Sequence, residues 1–403
     1  MPRRQARRRF KTSPSWDGED ALGPGSLETL GSDHALPIRY AWPNRNSLYT
    51  TLARWPSTIR CFRSTAVCII VPVVNLFLTG GTGFVGGHVA RIFLEHGWRV
   101  RALMRNPEHA RFLPQDVELV GGNLADASVY RDRLKDCDAV VHCAGATRAS
   151  SLAEYRRANV EGTEALVGAA AASCPEAMFV HVSSQAASGP SRDGRPVREM
   201  DRPAPVSWYG RSKLEGELVV ARRYPGPWCV VRPSVVYGAG DAGLLQMFAV
   251  VAHGVAPIPA GGRGRVQLLA AEDLARVLFA AATRPDLCGR RGFAAGDPVS
   301  MGDLIREIAA LRTPPAWTVP LPGALLRLLG IVESIRAAVT CSSRPLSRDK
   351  VRDILQPDWL CDGEPFLRDL GVETRIGWRE GIRRTCRWYV DARWLAPKAF
   401  ARV

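Results

Sequence analysis

No C-x-x-C pair occurs among the ten cysteines, and no Cys/His set has zinc-ligand spacing. That excludes a zinc finger and a thioredoxin-type redox site, and no metal is expected. The thiols lie scattered from Cys61 to Cys386, several inside apolar runs such as those around Cys143 and Cys229. Free cysteines so placed read as buried thiols in a reducing compartment, which suggests a cytoplasmic protein. Long apolar runs are also missing. The longest candidate, 64-STAVCIIVPVVNLFL-78, is broken by Pro72 and falls short of the roughly 20 residues that a spanning helix needs. It also lies too far from the start for a signal peptide.

Acidic residues are in short supply, 39 against 54 Lys and Arg, for a net charge of +15. The excess is uneven: five of the first nine residues are Arg. Aromatic residues are not interleaved with the basic ones, so no nucleic-acid partner is expected. The acidic 17-DGED-20 argues against a mitochondrial presequence. Residues 1–72 show no sustained period and are expected to be a disordered basic extension.

What is present begins at Val73. Short aliphatic runs (73-VVNLFLT, 99-RVRALMR, 117-VELVGGN, 138-DAVVHCAG, 178-MFVHVSS, 228-WCVVRPS) alternate with helical stretches such as 159-NVEGTEALVGAAAAS. Strands buried on both faces read as unbroken apolar runs. The alternation predicts an α/β fold, a doubly wound parallel sheet over 73–238. Beyond 238 it weakens. Residues 240–255, 301–311, 322–339, 347–355 and 378–390 read as helices, so 239–396 is expected to be mainly a substrate-binding cap, with some elements returning to the sheet. The apolar stretch 322–339 reads as a core-facing or substrate-covering helix rather than a membrane-surface one.

Gly80, Gly83 and Gly86 form G-x-x-G-x-x-G between the first strand and a helix. That is the context of a dinucleotide-binding turn: a tight bend, open backbone for a pyrophosphate, and close helix packing. The helix start adds unpaired N–H groups for the phosphates. In an NAD site the second strand usually ends in an acid that binds the ribose. Here Met104 stands in its place, followed by Arg105, whose guanidinium suits a 2′-phosphate and favours NADP(H) over NAD.

In 208-WYGRSKLEGE-217, Tyr209 and Lys213 are four residues apart on a helix and share a face. An ammonium beside the phenol is expected to lower its pKa from about 10, so that it exchanges a proton near neutral pH. Ser184, at the end of strand 178–183, is placed to bond the same substrate oxygen, where open α/β sheets bind ligands. His142 is as readily a satisfied core histidine as a cofactor contact.

Together these residues resemble the extended short-chain dehydrogenase/reductases, the NAD(P)-dependent epimerase/dehydratase family, from about Val73 to Trp394. Thr79 to Gly86 match its glycine motif, with Phe84 and Val85 inside it. The segment 122-GNLAD-126 matches G-D-x-x-D with Asn123 in place of Asp, followed by Leu124. Cys143, Ala144 and Gly145 belong to 142-HCAG-145, which lines the cofactor in the family. The segment 159-NVEGT-163 implies that Asn159 supports a proton-relay water; a helix N-cap is its bland alternative. Ser184 of 183-SSQAASG-189 corresponds to the active serine, with Ser183 structural. In 232-RPSVVYG-238, the backbone about Pro233 and Val235 resembles that holding the nicotinamide amide. The resemblance implies an oxidoreductase acting on a small-molecule carbonyl or alcohol, and a homodimer. Two alternatives stay open: a nucleotide-sugar epimerase or dehydratase with tightly held NAD, and a non-catalytic cofactor-binding subunit. In 265-RVQLLAAEDLARVL-278 the polar residues of many sugar-nucleotide members are apolar or small, although Arg263 and Arg265 could still meet a substrate phosphate.

Overall fold

The computed structural model describes residues 59–64, 67–106, 110, 113–328, 331, 333 and 348–401. The chain divides at Val73/Val74 into two units. In the first, β1 (Ile59–Ser64) and β2 (Val67–Pro72) pair antiparallel, Ile59 opposite Pro72. The stretch expected to be disordered up to residue 72 therefore holds a strand pair, and residues 1–58 lie outside the described ones. The described residues of the apolar run 64–78 form the end of β1, β2 and β3 and include no helix. Among the described residues no helix is long and apolar enough to cross a membrane.

The second unit is wound around a seven-stranded sheet. Its strands are β3 (Asn75–Thr79), β4 (Arg99–Met104), β5 (Glu118–Gly121), β6 (Ala139–His142), β7 (Met178–Val182) and β8 (Trp228–Pro233), completed by β12 (Arg290–Ala294). The order is β12-β8-β7-β6-β3-β4-β5, and every neighbouring pair is parallel. This is the doubly wound Rossmann-like sheet that the strand–helix alternation predicts.

Side chains alternate between two apolar layers, as the pleat requires. Leu76 and Leu78 of β3 point into one, with α1 (Phe84–Glu95) and α6 (Ala271–Ala282) packed over it. Phe93 of α1 and Phe279 of α6 meet edge to face, ring centroids 5.0 Å apart. Phe77 points into the other layer, with α3 (Gly162–Ser173) and α4 (Trp208–Arg223). Ahead of α3, α2 (Leu152–Arg156) runs into a π-helical turn, Arg157–Glu161.

The C-terminal part is not simply a cap. β12 extends the main sheet and α6 covers it, so both belong to the Rossmann body. The remainder forms its own small core. There β11 (Arg265–Ala270) pairs parallel with β9 (Val235–Tyr237) and β15 (Asp358–Trp359), and antiparallel with β13 (Asp297–Ser300). A separate parallel pair joins β10 (Val255–Pro259) and β14 (Trp317–Leu321). The helices are α5 (Ala242–Ala252), α7 (Met301–Leu311), α8 (Arg348–Ile354), α9 (Glu364–Leu370) and α10 (Trp378–Asp391). Of the expected helix at 322–339, residues 323–328, 331 and 333 are helical, Pro322 is not, and the others lie outside the described residues. Leu325, Leu328 and Ile331 are exposed, so this segment does not turn those side chains to a core. Asp273 of α6 is buried and accepts the backbone N–H groups of Arg375 and Ile376, which fixes the approach to α10.

Candidate active site

The glycine turn sits at the C-terminal end of β3. Gly80 has φ +74°, and a Cβ there would lie 2.6 Å from the Ala144 nitrogen. Only glycine combines that backbone with that approach. At Gly86 a Cβ would meet the Gly80 carbonyl oxygen at 2.2 Å, so α1 lies directly on the turn. Gly83, the N-cap of α1, offers no side chain to the helix start, and the first turn of α1 carries no acid. The result is a helix N-terminus with exposed peptide N–H groups beside bare backbone, a cradle whose shape and polarity fit a pyrophosphate. Phe84 and Val85 are half-buried behind it.

Thr79 does not face this cradle with its side chain. It is fully buried and bonded to His142 Nδ1 at 2.6 Å. His142 Nε2 is 2.9 Å from Thr163 Oγ1, and that hydroxyl donates to the Asn159 carbonyl at 2.8 Å. Thr163 has therefore spent its proton, and His142 Nε2–H must donate to it. His142 Nδ1 then accepts from Thr79, whose oxygen accepts from Ala144 N at 3.3 Å. Burial holds the imidazole neutral, its pKa pushed down to about 3. His142 is thus a core histidine that ties β6, β3 and α3 together beneath the cradle.

Past β4, Met104 is buried and Arg105 is exposed. Thr79 is in register with Leu103, so Arg105 emerges just beyond the glycine turn. Among the described residues it makes no ion pair. Asn123 is exposed and accepts from Ala125 N, Leu124 is half-buried against Gly162, and Asp126 caps the short turn that follows.

The presumed chemistry-bearing side chains do converge. Gly145 links them: a Cβ there would lie 2.8 Å from Asn159 Oδ1 and 3.6 Å from Lys213 Nζ. Cys143 and Ala144 beside it are half-buried, and burial pushes the Cys143 thiol up to about 12. Asn159 lies inside the π turn, not at a helix N-cap. Its amide clasps the Ala146 peptide, accepting from N at 2.7 Å and donating to O at 3.0 Å, and donates to Ser212 Oγ at 2.9 Å. Pro233 is buried at the end of β8, and Val235 is exposed on β9.

Lys213 is buried and donates to the Val182 carbonyl at 2.7 Å. Burial lowers its pKa to about 8, against the pull of Glu217. The depression of Tyr209 expected from Lys213 is not found in this state. The half-buried phenol is raised above its ordinary value, chiefly by burial and further by Asp353, while the neighbouring Ser184 acts to lower it. The physical reason is direction: the ammonium is committed to the end of β7. Ser184 itself stands just past β7, its Oγ accepting from Ala186 N at 3.1 Å. The ring of Tyr155 from α2 lies 6.0 Å from that of Tyr209.

Sequence reasoning missed a buried ion pair beneath this group. Arg232 donates to Glu217 twice, from Nε at 2.9 Å and from Nη2 at 2.7 Å. Ser183 Oγ donates to the same carboxylate at 2.5 Å. Both charged side chains are essentially inaccessible. Glu217 lies one turn beyond Lys213, so the pair fixes α4 against β7 and β8. Its signal was available, an acid and an arginine within apolar surroundings. Asp349 and Asp353 were also missed. Asp349, on α8, accepts the Trp208 N–H next to Tyr209 at 2.9 Å, and no local pattern in 347–355 marks either residue. Of the two arginines considered for a phosphate, Arg265 is engaged by Asp358 through Nε at 2.9 Å and Nη2 at 2.7 Å.

A doubly wound sheet carrying a glycine turn and a Ser, Tyr and Lys group at its C-terminal edge defines an NAD(P)-dependent oxidoreductase or epimerase of the short-chain dehydrogenase type. The chain belongs to the NAD dependent epimerase/dehydratase family, whose model matches residues 76–292. It is 29% identical over 323 residues to ceramide reductase of Caulobacter vibrioides, covering 80% of this chain and 96% of that one. It is 27% identical over 271 residues to UDP-glucose 4-epimerase of Vibrio cholerae, covering 64% and 81% respectively. The solved structure of MoeE5 in complex with UDP-glucuronic acid and NAD shares the fold, with TM-score 0.63 and 23% identity over 80% of this chain and 100% of that one.

Proposed function

We propose that this protein is an NADP(H)-preferring carbonyl reductase, with Tyr209 as the group that transfers the proton. The observation that carries the reading is the placement of Ser184 beside Tyr209 at the C-terminal edge of β7, with Lys213 one turn further along α4 and donating to the Val182 carbonyl. A phenol is protonated at neutral pH, the form in which it donates to a carbonyl being reduced. When bound, the nicotinamide dinucleotide supplies the hydride. Gly80, Gly83 and Gly86 would hold its pyrophosphate, Arg105 a 2′-phosphate, Asn123 and Leu124 the adenine, Cys143 to Gly145 the adjoining ribose, and Pro233 and Val235 the nicotinamide end. Lys213 would bind ribose hydroxyls, and Asn159 holds the Ala146 peptide and Ser212 in register beside it.

An apolar ketone suits the site better than a nucleotide sugar. Arg265 already has its carboxylate partner, so a diphosphate would have to displace Asp358. The similarity to a ceramide reductase over nearly that protein's whole length supports the same direction. The test is turnover of a long-chain ketone with NADPH by the parent and by Tyr209→Phe. We expect a loss of at least about 100-fold in kcat, with NADPH binding within twofold. Near-parental turnover in the variant would remove Tyr209 from the mechanism.

A further inference from the structure

We propose that the outer face of the β10–β14 pair, with the exposed leucines of the helix that follows it, docks on an anionic lipid surface. The docking stands apart from the reductase reading; the delivery of a ketone from the bilayer rests on that reading.

β10 and β14 pair only with each other among the described residues. Val255 is in register with Trp317, and Pro257 with Val319. Alternate residues of a strand share a face, so Val255, Trp317 and Val319 line one side. Ala256 is turned to the other side, fully buried in the C-terminal core with Ile305 and Ile308 of α7. The outer side has no such cover among the described residues. Trp317 is 82% exposed, and Val255 and Val319 are each nearly half exposed. After Pro322 the chain turns into a helix whose Leu326 is buried, while Leu325 and Leu328, three residues apart on one side, are exposed. Single apolar residues on a surface need no explanation, but a group carried by adjoining elements marks an interaction site.

The charge around this group selects the occupant. The segments that build it, 242–271 and 308–332, contain no Asp or Glu. They do contain Arg263, Arg265, Arg312 and Arg327, of which Arg265 is engaged by Asp358. Arg312 stands at the start of the pair, its Nε donating at 3.1 Å to the Ala252 carbonyl just ahead of β10. Arg263, just past β10, and Arg327, on the helix after β14, are exposed beyond its other end. Apolar side chains with a tryptophan, flanked by guanidinium groups and free of carboxylates, suit a bilayer with anionic headgroups. A second copy docking through the same face would set like charges together, and the arginine-rich N-terminus would do the same. The helix after β14 also borders the site. A Cβ at Gly323 would lie 3.4 Å from Leu355, just past α8, and Asp349 of α8 accepts the Trp208 N–H at 2.9 Å, next to Tyr209. Docking therefore brings the first turn of α4 toward the bilayer, where a long-chain ketone dissolves.

The experiment floats the full chain with vesicles of phosphatidylcholine, with and without phosphatidylglycerol, at low and high salt. The expected result is binding to the anionic vesicles that weakens with salt, reduced at least about tenfold in Trp317→Gln and about fivefold in Arg327→Gln. Arg327→Gln carries the test alone should the Trp317 variant not fold. No binding by the parent overturns the proposal. So does binding that neither substitution weakens, which is what contact through the arginine-rich N-terminus would give. A dimer in ultracentrifugation that Trp317→Gln disperses, in place of vesicle binding, overturns it as well. Turnover separates the two readings. Trp317→Gln should reduce a ketone carried in the vesicles more slowly than the parent, and a short soluble ketone at the parental rate. Vesicle binding without reduction of either ketone upholds the docking and rejects the reductase. Reduction without vesicle binding does the reverse.

Discussion

Glu217 and Arg232 show how much of the site depends on residues that touch no ligand. Their doubly hydrogen-bonded pair is out of water on all sides. Removing Arg232 leaves Glu217 buried with Arg291, 3.9 Å away, as its remaining ion-pair partner among the described residues, which is costlier than losing the attraction itself. Arg232→Met should destabilise the fold by about 3–5 kcal/mol in urea unfolding, whereas the paired change Arg232→Met with Glu217→Leu should recover much of that. Lys213 makes a second residue-level prediction. Its folded pKa, about 8, lies below the 10.5 of the unfolded chain. Between those values the unfolded state binds more protons, so deprotonation favours the folded state. The stability of the parent relative to Lys213→Met should therefore rise from pH 8 to 10.5 and be flat below. A difference that falls over this window would place the ammonium in a far wetter site than the structure does.

At the scale of elements, α4 is set by two close approaches. A Cβ at Gly210 would meet the Ala186 carbonyl oxygen at 2.2 Å, and one at Gly216 the Asn159 carbonyl oxygen at 2.6 Å. In each case the obstacle is backbone, which cannot swing aside. Gly216→Ala should push α4 away from the π turn, cost about 1–3 kcal/mol, and lower kcat with it. Calorimetry and turnover on the same preparation would check both. The sequence made α4 legible through its Tyr-x-x-x-Lys spacing, and the glycine turn through its place between strand and helix. The π turn was not legible. Its residues 157–161 have ordinary helical character, and only the extra residue that swings Asn159 toward Ala146 reveals it. Asp349 was hidden for a different reason: its meaning lies in a contact with Trp208 across 141 residues.

For the whole molecule, the parallel sheet was readable because both of its faces are buried, so its strands appear as unbroken apolar runs. The C-terminal part was harder. β11 alone divides its edges among three partners, β13, β15 and β9. Such short strands leave little periodicity, and β12 joins the main sheet from a segment, Arg290–Ala294, whose first two residues are charged. Those arginines have structural partners: Arg290 bonds Glu199 at 3.0 Å, and Arg291 lies over the Trp228 ring. The cofactor preference is the central claim at this scale, because it separates exchangeable NADP(H) used for net reduction from tightly held NAD used within one catalytic cycle. The direct measurement is titration of nucleotide-free protein with NADPH and with NADH, on the parent and on Arg105→Ala. The account predicts NADPH binding at least about tenfold tighter in the parent, the worth of one charge-assisted contact, and a preference abolished in the variant. Equal binding of both nucleotides, or NAD⁺ retained through purification, would contradict it and bring the epimerase reading forward.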